Sequence, residues 1–235
     1  MTWAQLRLDV RLQARSRLYV IGIAVSLMLG ALGRFLIGPQ HAAQAVPILY
    51  LLGLGGTTYI YGATMVLLER SEGTLLALRV SPLSARTYLL SKLITLTTFA
   101  TLEGLIVHAV GFWGVSVDPL PLLAGILAVA SVNALIGLGH VAPHTHLFSW
   151  LIPGALILSS VLQWPALFVL EVGPPAIWYL LPTQGPLLLM MAGFTPLETW
   201  QWAYAIISTT LSLAGLWWWS HRRIARHLGL WSEHR

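Results

Sequence analysis

The sequence predicts an all-α integral membrane protein of six transmembrane helices, and three observations carry that reading. Hydrophobic residues make up 57% of the 235 and charged residues 9%, a balance that a bilayer can accommodate and a water-soluble domain cannot. Six segments, 18 to 38, 46 to 68, 93 to 113, 120 to 139, 147 to 170 and 200 to 220, have the roughly 20 apolar residues that a hydrocarbon core about 30 Å thick requires. Twelve of the 13 Lys and Arg residues fall into three clusters separated by these segments: Arg7, Arg11, Arg15 and Arg17; Arg70, Arg79, Arg86 and Lys92; Arg222, Arg223, Arg226 and Arg235. Positive charge beside spans stays cytoplasmic, so both termini and the loop near residue 80 are expected on the cytoplasmic side of the cell (inner) membrane, with an even number of crossings. Arg34 alone departs from the pattern.

Taken in order, residues 1 to 17 are expected to form an interfacial helix. Arg7, Arg11 and Arg15 recur every four residues while Trp3, Leu6 and Val10 lie towards another face. The basic start, the apolar run from Leu18 and the pattern Ala43, Gln44, Ala45 imitate a signal peptide, but Arg34 follows the apolar run directly, where a short polar stretch would stand. After the second segment, Leu75, Leu76, Leu78 and Val80 give a short apolar helix bounded by Gly73 and Ser81. It is too short to span and too apolar to be free in water, so it needs a protein partner. Ser81 before Pro82 reads as a helix cap, which predicts a helix from Pro82 to Trp113.

Glu103 stands near the middle of the third segment, where an ionisable group is costly and points into a bundle or cavity. Asn133 holds a similar place in the fourth. Both are candidates for a substrate path, with an interhelical hydrogen bond as the plainer role. His140, His144 and His146 cluster before the fifth segment, yet Pro143 interrupts their alignment and no carboxylate is near in sequence, so no metal site is assigned. Pro153 and Pro165 mark a broken fifth helix. Residues 172 to 194 carry Pro174, Pro175, Pro182 and Pro186 and are read as an outer re-entrant or surface-lying pair of short helices rather than a seventh span. Most of the 11 tryptophans fall near segment ends as interfacial anchors.

The loop resembles that of the permease subunits of the type-2 class of ABC exporters, and is closest in look to short drug-export permeases. Those proteins are similar in carrying a Glu-Arg-x-x-Gly-Thr-Leu run at the end of the second span, then a short helix, then Ser-Pro-Leu-Ser and a lysine opening the third. Here the run reads Glu69, Arg70, Ser71, Glu72, Gly73, Thr74, Leu75, followed by Ser81, Pro82, Leu83, Ser84, Tyr88, Ser91 and Lys92. The resemblance implies a single permease domain over residues 1 to 235, with a coupling loop at 69 to 92 that docks a separate ABC ATPase. Glu69, Arg70, Glu72, Gly73, Thr74, Leu75, Leu76, Ser81 and Pro82 are the residues it assigns to coupling. It also implies a homodimer, or a heterodimer with a sibling permease, moving a hydrophobic or amphipathic substrate outward.

No GxxxxGK[ST] run is present and the only lysine is Lys92, so the chain binds no cofactor of its own on this reading. ATP and Mg belong to the partner ATPase. Cysteine is absent, which removes disulfides, thiolate metal sites and cysteine nucleophiles. The net charge of +5 sits where spans meet cytoplasm, which favours membrane lipid over nucleic acid. A secondary transporter or channel is the alternative, disfavoured because Glu103 is the one carboxylate in the membrane core for ion coupling. An intramembrane enzyme is disfavoured by the lack of a nucleophile motif, paired aspartates or an HxxxxD run, and no catalytic residue is assigned.

Overall fold

The computed structural model describes residues 3–81 and 83–229, and it is all-helical. Helix α1 (Trp3–Arg15) turns at Arg17, held in the left-handed region at φ 60, into α2 (Leu18–Leu32), which continues as a π-helical turn to Ile37. A short 3-10 turn leads to α3 (Ala42–Leu49), a second π turn at Tyr50–Leu54, and α4 (Gly55–Ser71). Then come α5 (Thr74–Val80), α6 (Ala85–Gly111), α7 (Pro119–Val141) and α8 (Leu147–Ile157), the last extended by a π turn to Leu162. The chain closes with α9 (Ala166–Val169), α10 (Pro175–Trp178), α11 (Gln184–Ala192) and α12 (Thr199–Leu228).

Among the described residues, five helical stretches are long and apolar enough to cross a membrane: Leu18–Ile37, Pro39–Ser71, Ala85–Gly111, Pro119–Val141 and Leu147–Val169. The segment expected at 200 to 220 is helical within α12 but is not among these five, because Ser, Thr and Trp interrupt its aliphatic residues. The second stretch runs 33 residues, well beyond the expected 46 to 68. Pro47, which should end a helix, is buried inside α3, and the π turn at Tyr50–Leu54 that follows absorbs the mismatch in the backbone ladder.

The third helix starts later than the sequence indicates. Ser84, not Ser81, is its cap: both are extended, but the Ser84 hydroxyl accepts the Thr87 amide at 3.2 Å, whereas Ser81 donates its hydroxyl back to the Leu78 carbonyl. Both serines have capping chemistry, and the extended backbone at Ser81 is what a following proline favours. Pro82 itself lies outside the described residues. The helix ends at Gly111 rather than Trp113.

Helix α7 is the hub, packed against α4, α6, α11 and α12. One apolar cluster at the α5 end joins Tyr59, Val66, Leu75, Leu78, Tyr88, Leu135 and Ile224. A second at the other end joins Val46, Tyr50, Leu54, Phe112, Ile126 and Leu187. Residues 172 to 194 contain two short helices, and α11 is not surface-lying: Gln184 through Met190 are all buried, with α11 set against α7 and α12. The fifth stretch is broken at Leu162 and packs loosely, with Phe148, Ile152 and Leu156 exposed.

Candidate functional site

Helix α4 stops because Gly73 takes φ +74 and ψ −1, which side-chain-bearing residues rarely adopt. An added Cβ there would meet nothing within 4 Å, so the requirement for glycine is conformational and not steric. The chain turns into α5, seven residues and about 10 Å long. Leu75 and Leu78 face the core cluster at 3% and 9% exposure, while Leu76 and Val80 point outward at 64% and 89%. An apolar outer face on an element this short is the feature the sequence anticipated.

Beneath α5 lies a buried polar latch. The Lys92 ammonium on α6 donates to Glu69 Oε1 of α4 at 2.6 Å and to Asp9 Oδ1 of α1 at 3.0 Å, and all three side chains are at most 1% exposed. The Tyr88 hydroxyl donates to Glu69 Oε2, and the Ser91 hydroxyl to Asp9 Oδ2. The Gln5 amide adds a longer bond to Asp9 Oδ1 at 3.3 Å. One turn along α1, the Gln13 amide donates to Thr95 Oγ1 at 2.9 Å. Every carboxylate oxygen is thus satisfied, as burial of charge demands. Helix α1 therefore meets the protein through Gln5, Asp9, Leu12 and Gln13, a largely polar face.

The coupling residues named from the sequence divide between inside and outside. Glu69 is wholly internal. Arg70 reaches across to the loop after α7, its guanidinium donating to the Ala142 and His144 carbonyls. Glu72 pairs with Arg15 of α1 at the surface. Glu72 and Gly73 form the turn, Thr74 opens α5, Leu75 anchors it, and Leu76 is exposed.

Partial burial, together with the Arg223 and Arg70 guanidiniums, holds His144 below the ordinary histidine range. The folded chain thus resists protonation at His144, and stability falls as pH drops through the ordinary value of about 6.5. Arg70→Gln is expected to raise the proton affinity of His144 and to lessen that acid sensitivity. It should also speed amide exchange over residues 142 to 146. Histidine titration by nuclear magnetic resonance with hydrogen exchange would check both, and an unshifted His144 would separate the two groups. His140 is held by the Tyr59 hydroxyl, 3.0 Å from its Nδ1, and its ring lies 5.2 Å from that of His144. His146 instead offers its carbonyl to Ser149. Among the described residues no group of three His, Cys, Asp or Glu side chains is placed to hold a metal ion.

Glu103 and Asn133 are not brought together. Glu103 is 2% exposed between α2, α4 and α6, accepting from the Thr57 hydroxyl at 3.0 Å. Its Oε1 has no partner and lies against Gly22, where an added Cβ would sit 2.4 Å away. Asn133 donates to the Val129 carbonyl of its own helix at 2.8 Å and packs on Gly55. Gly55 and Thr57 are about 200° apart around α4, so the two polar groups approach that helix from different sides. The residue the sequence reading missed is Asp9. Its signal was available: one acid in a basic helix, spaced by four from Gln5 and Gln13.

Apolar helices of spanning length around an internally satisfied ionic latch define a multi-pass membrane protein. Comparison with known proteins narrows that class. Residues 1–229 match the fluoroquinolones export permease protein family, and the chain belongs to that family, which makes it a drug-export permease and a transporter rather than an enzyme. It is similar to the fluoroquinolones export permease proteins of Mycobacterium tuberculosis strains CDC 1551 / Oshkosh and ATCC 25618 / H37Rv. Each is 30% identical over 224 residues, covering 90% of this chain and 89% of the relative.

Proposed function

We propose that the chain is the membrane subunit of an ATP-driven exporter of the type-2 ABC class, carrying a hydrophobic or amphipathic drug. Fluoroquinolones, named in the relatives' descriptions, are the first substrates to test. In this reading α12 supplies a sixth crossing, both termini are cytoplasmic, and a separate ATPase binds ATP and Mg. The exposed apolar face of α5 is the observation that carries it. Leu76 and Val80 need a protein groove, while Leu75 and Leu78 tie α5 to the core cluster below. A push on α5 would reach α4 through the Gly73 turn and then α6 and α1 through Lys92. The loosely packed fifth stretch exposes Ser159 and Ser160 beside Leu156, a polar spot on an apolar surface that pairing with a second permease would cover.

Leu76→Asp combined with Val80→Asp tests the reading, since both side chains lie outside the core. The expected result is normal insertion and yield with at least about tenfold less co-purifying ATPase, the loss typical of an interface anchor. Unchanged co-purification would remove α5 from the coupling role. Drug transport driven by an ion gradient in vesicles holding this chain alone would replace the whole reading with that of a secondary transporter.

Glu103, with one oxygen unused, is the candidate on the path to meet a cationic substrate, and Asn133 the candidate to line it. Glu103→Gln keeps the shape and the Thr57 hydrogen bond. We expect intact assembly and basal ATPase activity, with drug stimulation lowered more for cationic than for neutral compounds. Equal stimulation across both would leave Glu103 as a packing group.

A further inference from the structure

The outer side of α1 borders a cavity to which the proposed function assigns no role. Its apolar residues Trp3, Leu6 and Val10 form one wall of an open groove of about 990 Å³, and Ile94, Thr98 and Leu102 of α6 form the facing wall. Arg7 and Arg11 line the same groove from α1. Both are exposed, and neither has an ion-pair partner among the described residues, in contrast to Arg15, which is held by Glu72. From Ile94 to Leu102 the α6 wall extends about 12 Å along the helix axis. The groove thus combines a long apolar trough with two unneutralised guanidiniums on its α1 side.

We infer that this groove binds an anionic phospholipid, with its phosphate on Arg7 and Arg11 and an acyl chain along Ile94, Thr98 and Leu102. Charge complementarity selects the occupant. Guanidinium favours phosphate over other headgroup chemistry through paired N–H donors, and a zwitterionic headgroup would bring a compensating cation against two arginines. The concave shape fits a flexible chain, and the exposed rim residues Trp3 and Leu102 match a site open to the bilayer. Because Asp9 bonds Ser91 and Lys92 and so holds α1 against α6, the lipid would sit on a preformed wall and need not build one. The site would complete α1, buried on its polar side by protein and on its apolar side by lipid.

The test uses the full chain, without ATPase or drug, so that failure of the export reading would not affect it. Purified protein is exchanged into micelles holding equal phosphatidylglycerol and phosphatidylcholine, and retained lipid is counted by native mass spectrometry. Wild type is expected to retain phosphatidylglycerol in roughly tenfold preference, declining as salt rises. Arg7→Gln with Arg11→Gln should abolish the preference, Thr98→Trp should exclude both lipids by filling the trough, and Arg34→Gln, at an exposed arginine elsewhere, should change nothing. Equal retention of the two lipids by wild type, or preference undiminished in the double variant, would overturn the proposal. So would Thr98→Trp breaking a dimer while lipid retention stays unchanged, since the groove would then belong to a second copy of the chain. If a variant fails to fold, wild type and Trp3→Phe decide. Brominated phosphatidylglycerol should quench the Trp3 part of the fluorescence more than brominated phosphatidylcholine, and equal quenching would count against the site.

Discussion

Lys92→Met is expected to destabilise the protein by about 3–5 kcal/mol, the loss that follows when one partner of a buried ion pair is removed and the other is left uncompensated. Here two carboxylates would be stranded, Asp9 and Glu69, both buried beneath α5. Thermal unfolding in detergent would read the loss. The rescue is as informative: adding Asp9→Asn and Glu69→Gln removes the stranded charge, and the triple variant should recover most of the stability. A single variant within about 1 kcal/mol of wild type would mean that water reaches the latch, against the geometry described.

The second large effect is expected at Gly137 on α7. An added Cβ there would lie 2.4 Å from the Tyr59 carbonyl oxygen and 3.2 Å from the Tyr59 Cα, so α4 and α7 touch backbone to backbone. Side chains can rotate away from an intruder, but two packed helices cannot. Gly137→Val should therefore cost about 3 kcal/mol, the upper end for overpacking, or prevent recovery of folded protein. It should also break the Tyr59 to His140 hydrogen bond one turn along α7. Gly215 on α12 is the control. Nothing lies within 4 Å of its added Cβ, and Gly215→Ala should be neutral or stabilise by up to about 1 kcal/mol. Equal thermal shifts for the two variants would show that the α4 to α7 contact is not close.

Much of the helical plan was legible because apolar length and charge position are local properties. The short helix before Ser81 was legible for the same reason: four apolar residues between a glycine and a serine leave few alternatives. The latch was not. Asp9 and Lys92 are 83 residues apart, and a helix that turns its glutamines and aspartate inward is opposite to what hydrophobic periodicity selects. The second stretch begins earlier than expected because Pro47 is held inside α3, where surrounding packing and a π turn absorb the cost of its missing backbone donor. Ser81 and Ser84 share the same extended backbone, and the choice of cap between them depends on where each hydroxyl bonds, which residue type alone does not settle.

The latch also orders the protein's biogenesis. Chain synthesis produces Asp9 first, Glu69 next and Lys92 last, so α1 lacks the cationic partner of Asp9 until the third apolar stretch emerges. Until then Gln5 and Asp9 have only each other, water or headgroups to bond. Nascent chains halted before residue 92 should leave α1 accessible to protease, and chains halted well beyond α6 should protect it. Docking of the first helix is in this sense a checkpoint on insertion of the third membrane stretch.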